Sequence, residues 1–314
     1  MNREDFARYV DLAMDQQNGL GFMRPVVEKE LLHYEIFSAL DEAGLLKRLV
    51  FQGGTSLRLC YGSNRFSEDL DFAGGPAFSA RSMGAIKDCI ATRIGQRFDL
   101  DVTVREPKAF LIDDKIRVDK WTVAIRTSPE RPDLPMQKIK LKIANVPAHT
   151  REILPLRINY PVLAGRSPTL VPVESRDEIL ADKLVALPMS ISRWSDQAAE
   201  PTPSRVRYRD IWDIAWLSAQ GARLDTELVK TKIADYGLSE TYPQLLNRAI
   251  EELPGIAGGV AYRNQMARFL PKDQHDRVFG KAGYERYFAN SVNAQLQRVA
   301  KSLGREGPDY DLEL

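Results

Sequence analysis

Residues 51–72, FQGGTSLRLCYGSNRFSEDLDF, constrain the fold more than any other stretch, because a glycine turn, a short helix and a spaced carboxylate pair follow one another directly. Residues 49–52 read as a short buried strand. It ends in Gly53 and Gly54, where the chain can adopt positive φ and bring backbone amides close to a ligand. Residues 55–61, beginning at Thr55, read as a helical turn or two whose free N–H groups and positive dipole end face the same point, so an anion is the natural guest. After a loop over 62–65 comes Ser67-Glu68-Asp69-Leu70-Asp71-Phe72. With 69–72 as a strand, its period of two sends Asp69 and Asp71 to one face and Leu70 and Phe72 into the core. Two neighbouring carboxylates repel, and a divalent cation between them relieves the repulsion. Oxygen-only ligands favour Mg²⁺ or Mn²⁺ over zinc. A glycine pair alone is most often a plain turn, and a lone D-x-D most often a solvated strand face; the two together, with Ser67 ahead of the first aspartate, are much more specific.

The remaining chain supplies a core to carry this stretch. With 314 residues, 44% hydrophobic and 28% charged, it has the composition of an ordinary globular protein of one large or two modest domains. A net charge of +1 excludes recognition of nucleic acid by global charge, so any RNA contact needs a local basic patch. Two cysteines, Cys60 and Cys89, are too few for a disulfide framework and fit a reducing compartment. A charged start without an apolar run, and no stretch approaching a membrane span, lead to the expectation of a cytoplasmic protein that engages no membrane.

In chain order, apolar residues at Val27, Leu31, Leu32, Ile36, Phe37 and Leu40 predict a helix over 26–43, packed under the motif strand. A helix is expected over 80–98 and strands over 100–104 and 121–125. Residues 137–144, QKIKLKIA, alternate strictly, with Ile139, Leu141 and Ile143 inward and Lys138, Lys140 and Lys142 outward. The three lysines form either a cationic wall for triphosphate or RNA or a solvated strand face. Proline-rich text over 155–172 reads as a connection. Beyond it the pattern is helical, over 177–187, 206–219, 226–236, 243–253 and 284–303, with a polar loop over 190–204.

Ser175-x-x-Glu178 is a capping box that starts the first of these helices. Lys183 lies at the border of its apolar stripe of Ile179, Leu180, Leu184 and Leu187. It must snorkel, pair with Asp182 or Glu178, or hold an anion. Asp210 and Asp213 share a helix face, with Arg209 in reach of Asp213. Arg205, Arg207 and Arg209, and the group Arg263, Arg268, Lys272 and Arg277, either track an RNA backbone or decorate surface helices. His33, His149 and His275 show no ligand spacing.

The text GGTSL…RFSEDLDF resembles motif I of the polymerase β-like nucleotidyltransferase superfamily, a glycine pair followed by Asp-x-Asp. It is most similar to the AbiEii/AbiGii family of nucleotidyltransferase toxins, which includes the MenT-type toxins. DKLVAL at 182–187 resembles that family's D-K-L-x-A-L motif, and RDIWDI at 209–214 resembles another. The resemblance runs from residue 51 to about residue 214. It implies an α+β fold: a polymerase β-like nucleotidyltransferase core with a mixed sheet over 1–170, then a helical half over 171–314 that contributes Lys183 and Asp210 to the active site. It carries over Ser67, Asp69, Asp71, Lys183 and Asp210 as site residues, with Asp213 as a secondary member.

Under that resemblance Asp69 and Asp71 hold Mg²⁺ or Mn²⁺. Gly53, Gly54, Thr55, Ser67, Lys140 and Lys183 bind the nucleoside triphosphate, and Asp210 orients or deprotonates the attacking hydroxyl. The implied activity is transfer of a nucleoside monophosphate to RNA, foremost the tRNA 3′ end, by the toxin of a toxin–antitoxin or phage-defence pair with a cognate antitoxin. A small-molecule nucleotidyltransferase of the antibiotic-modifying sort and an inert RNA-binding module on the same scaffold are the alternatives. One departure stands out. The superfamily usually adds a third carboxylate from a neighbouring strand, whereas the strand 138–143 offers only lysines; either Asp210 completes the metal shell or one metal is held by two carboxylates plus nucleotide and water, with Asp101 and Asp119 as further candidates.

Overall fold

Two helices, α1 (Phe6–Asp15) and α2 (Arg24–Glu42), lead into the motif in the computed structural model, which describes residues 5–15, 19–112, 116–195 and 206–304. All six residues of the predicted apolar stripe of α2 are buried. The motif follows as β1 (Val50–Gln52), a helical turn α3 (Gly53–Ser56) that widens over Leu57–Tyr61, and β2 (Leu70–Ala73). The ring of Phe37 lies 4.8 Å from Phe51 and 5.9 Å from Phe72, so α2 packs under both motif strands as its periodicity predicts. The helix expected over 80–98 forms as a 3₁₀ turn (Ala80–Met83) followed by α4 (Ile86–Phe98).

Five further strands complete a sheet: β3 (Val102–Ile112), β4 (Ile116–Ile125), β5 (Gln137–Ala144), β6 (Glu152–Pro155) and β7 (Leu170–Val173). The seven strands lie in the order β3-β4-β5-β2-β1-β7-β6. β2 pairs antiparallel with β1 and parallel with β5, so the sheet is mixed. Its register forms two kinds of row. Phe51, Phe72 and Ile143 lie side by side on the face toward α2, and Gln52, Asp71 and Lys142 lie side by side on the other. Hydrophobic burial at Phe51, Leu70, Phe72, Leu141 and Ile143 therefore determines which way Asp71 points.

β6 and β7 correct the reading of 155–172 as a plain connection, since both of its bounding prolines lie in strands. Pro155 ends an outermost strand, where a missing N–H costs no ladder bond. Pro172 is tolerated because β7 meets β1 at only one pair, Phe51 with Val173.

The chain divides into two units, Met1–Ser175 with Phe269–Lys272, and Arg176–Arg268 with Asp273–Leu314. Phe269 belongs to the first because its side chain joins that core and its carbonyl accepts from the Phe66 N–H at 2.7 Å. The second unit is helical: α5 (Arg176–Ser195), α6 (Tyr208–Ala219), α7 (Thr226–Asp235), α8 (Tyr242–Gly258), α9 (Val260–Ala267), α10 (Lys272–Phe279) and α11 (Tyr284–Ser302). Ile179, Leu180, Leu184 and Leu187 of α5 are all buried, and α5 packs on α8, whose Tyr242 hydroxyl donates to the Leu184 carbonyl at 2.8 Å. α5 runs through Ser195, further than the polar loop predicted from residue 190. The rest of that loop, with Arg205, lies outside the described residues.

Candidate active site

The glycine turn is built to fit against the aspartate strand. Gly53 has φ +78°, and a Cβ there would meet the Asp71 carboxylate. Gly54 is needed for a different reason. An added Cβ would lie 2.2 Å from Nη2 of Arg65, a guanidinium that is almost fully buried and donates to the Phe66 carbonyl at 2.9 Å. Thr55 turns its hydroxyl to the Asp69 carbonyl, so its side chain ties the turn to the strand. Ser67 is buried immediately ahead. We expect Gly54→Ala to destabilise the protein by about 1–3 kcal/mol, since the buried Arg65 guanidinium must shift to make room. Gly21→Ala, where nothing lies within 4 Å, should leave the denaturation midpoint unchanged.

Asp69 precedes β2 by one residue, yet its side chain reaches the same face as Asp71. The two carboxylates meet on one cation: Lys142 Nζ lies 2.8 Å from Asp69 Oδ2 and 3.3 Å from Asp71 Oδ1. Burial works against the charge of Lys142, but Asp71 and Asp69 outweigh it and hold the ammonium pKa above its ordinary value. The fit to a metal can be judged from this contact. Both aspartates turn oxygens toward a single point at which a positive charge is already accommodated, and both side chains remain partly open to solvent. Lys140, expected on the nucleotide, is exposed one pleat away along the same face.

The register also settles two candidates for a third carboxylate. Asp119 pairs across with Ile143, which puts it on the core-facing side of the sheet, where it is buried and bonded to Arg117 at 3.0 Å. Asp101 precedes β3, three strands away from β2. Among the described residues no group of three His, Cys, Asp or Glu side chains converges on one point.

Sequence reasoning assigned no role to His33, but the structure places it directly behind the aspartates. Its Nε2–H donates to the Glu68 carbonyl at 3.1 Å, and its buried Nδ1 has no hydrogen-bond partner. Burial lowers its pKa to about 4. Lys29 of α2 pairs with Glu68. A helical spacing that puts His33 and Lys29 on one face of α2 was the available signal. Because the folded pKa of His33 is depressed, its contribution is complete above the ordinary histidine range and is lost as pH falls from about 6.5 toward 4. That loss should amount to about 3 kcal/mol, read as a slope in stability against pH that His33→Gln removes.

The second unit holds a separate cluster. Lys183 Nζ lies 2.7 Å from Asp210 Oδ1 and 2.6 Å from Asp213 Oδ2, and all three side chains are almost fully buried. Arg207 Nε lies 2.5 Å from Asp210 Oδ2. Burial would raise the Asp210 pKa, but Arg207 and Lys183 hold it well below the ordinary carboxylate range. The bland pairing considered for Lys183 is not the one formed. Glu178 and Asp182 turn instead to Lys232 of α7, at 2.6 and 3.1 Å, because consecutive helical positions point about 100° apart.

A family model described as "Nucleotidyl transferase AbiEii toxin, Type IV TA system" matches residues 35–292. Among solved structures, MenT4, a nucleotidyltransferase toxin from Mycobacterium tuberculosis H37Rv, superposes with a TM-score of 0.51 at 17% identity, over 94% of this chain and 99% of that one. A candidate nucleotidyltransferase from H. pylori gives a TM-score of 0.42 at 18% identity, over 89% and 96% of the two chains. No curated protein matches by sequence.

Proposed function

Because the chain belongs to the AbiEii family of nucleotidyltransferase toxins, we propose that it transfers a nucleoside monophosphate from a nucleoside triphosphate to RNA, with the tRNA 3′ end as acceptor. The observation that carries this reading is the convergence of Asp69 and Asp71 on one point beside the Gly53-Gly54 turn. Phosphoryl chemistry of this kind is mainly positioning and charge neutralisation, which carboxylates, cations and backbone amides supply.

In the reaction the acceptor hydroxyl oxygen forms a bond to the α-phosphorus. The bond from that phosphorus to the bridging oxygen breaks, pyrophosphate leaves with the electron pair, and the hydroxyl proton passes to solvent or a base. Asp69 and Asp71 would hold Mg²⁺ or Mn²⁺, which when bound neutralises charge on the phosphates. The glycine turn and Ser67 orient the triphosphate, and we carry Lys183 over from the family motif as a phosphate-binding residue. A carboxylate held as far below its ordinary pKa as Asp210 is a poor proton acceptor. Its role in this reading is to position Lys183 rather than to deprotonate the hydroxyl.

A Type IV toxin–antitoxin family implies a cognate antitoxin, and we extend this to a role in phage defence. Among the described residues no helix is long and apolar enough to cross a membrane.

The test is incubation with total tRNA, Mg²⁺ and each α-phosphate-labelled nucleoside triphosphate in turn, beside Asp69→Ala. Label entering tRNA from one nucleotide, in wild type alone, is the expected result. Label confined to a low-mass product would replace RNA with a small-molecule acceptor, and no labelled product of any kind would return the chain to the inert binding module.

A further inference from the structure

The cation on Asp69 and Asp71 comes from the strand where a third carboxylate was sought. β5 runs parallel beside β2, and the register puts Lys142 directly opposite Asp71 on the same face. Lys138 and Lys140 point the same way but are exposed, while Lys142 is drawn in until it touches both aspartates. The neighbours on either side add no carboxylate to this point. Gln52 flanks Asp71 on β1, Lys120 flanks Lys142 on β4, and Asp119 is on the opposite face.

We propose that Lys142 is a positioning residue that acts through Asp69 and Asp71, making divalent-metal binding depend on the nucleotide. Its ammonium and a divalent ion compete for the same carboxylate oxygens. Without nucleotide, a metal ion would have two carboxylates to bind and a positive charge directly beside it. A triphosphate changes both terms, since it brings oxygen ligands for the ion and negative charge to receive the displaced ammonium. Metal and nucleotide therefore enter together, and the site rests closed by its own lysine. The inference rests on the nucleotidyltransferase reading for its purpose, but its contacts are independent of which acceptor is used.

The experiment is a Mn²⁺ titration followed by electron paramagnetic resonance, on wild type, Lys142→Met and the double variant Lys142→Met/Asp69→Asn. Each is measured with and without a nucleoside triphosphate analogue carrying a methylene bridge between the α- and β-phosphates. Lys142→Gln is carried alongside in case the methionine variant fails to fold. Wild type should bind Mn²⁺ weakly alone and more tightly with the analogue. Removing the ammonium should tighten binding of Mn²⁺ alone by about tenfold or more. Asp69→Asn should then cancel that gain. Equal affinity of wild type and Lys142→Met for Mn²⁺ alone would overturn the proposal, as would a gain that survives Asp69→Asn. Neither outcome depends on labelled RNA, so a failed transfer assay with these binding results intact would remove the acceptor and leave the role of Lys142 standing.

Discussion

Asp69→Asn should reduce nucleotidyl transfer by about a thousandfold or more, because the change removes one of the two charges that would hold the metal against the triphosphate. The fold should survive. The Asp69 side chain is partly open to solvent and its backbone carbonyl, which accepts from Thr55, is retained. Lys142 loses one partner but keeps Asp71 at 3.3 Å. The measurements are the initial rate of label incorporation and the thermal midpoint by circular dichroism. A variant with undiminished turnover would remove Asp69 from the chemistry. One that is inactive and unfolded would be uninformative about it, and for that case Asp71→Asn, whose carboxylate is the more exposed of the two, supplies the second measurement.

Lys183→Ala should destabilise the helical unit by about 3–5 kcal/mol, since it removes the buried cation that Asp210 and Asp213 share. Arg207 keeps hold of Asp210 from the solvent side, and Asp213 is completely buried. The obvious variant therefore confounds folding with catalysis. Lys183→Met combined with Asp210→Asn and Asp213→Asn removes all three charges together. That triple variant should recover most of the lost stability in chemical denaturation and still transfer no label. Full activity in the recovered variant would make Lys183 a purely structural cation, with the phosphate role excluded.

How much of this was legible in the sequence varies by element. The strand, glycine turn and D-x-D of residues 51–72 were readable because their cues are local: positive φ at Gly53, a period of two at Leu70 and Phe72, and a helical stripe on α2 for them to pack against. Lys183, Asp210 and Asp213 were each singled out, the first two through family motifs, and the structure brings the three together. What failed were the pairings. Asp182 and Glu178 are the sequence neighbours of Lys183, yet the helix turns them toward α7 while Lys183 points to α6. In the same way Lys138, Lys140 and Lys142 are indistinguishable in an alternating strand. Only the register against β2 selects Lys142, and only that register puts Asp119 on the wrong face. β6 and β7 were missed because proline argues against a strand except at an edge or beside a ladder as short as that of β7 on β1, and neither exists until the sheet is assembled.

The sequence by itself thus determined the local devices and the residue types the chemistry needs, since both follow from short-range backbone preferences and the periodicity of burial. The tertiary structure alone decided which charges meet. Strand register and helix rotation are set by the burial of side chains far apart in the chain, and a shift of one residue would send Asp71 or Lys142 to the other side of the sheet.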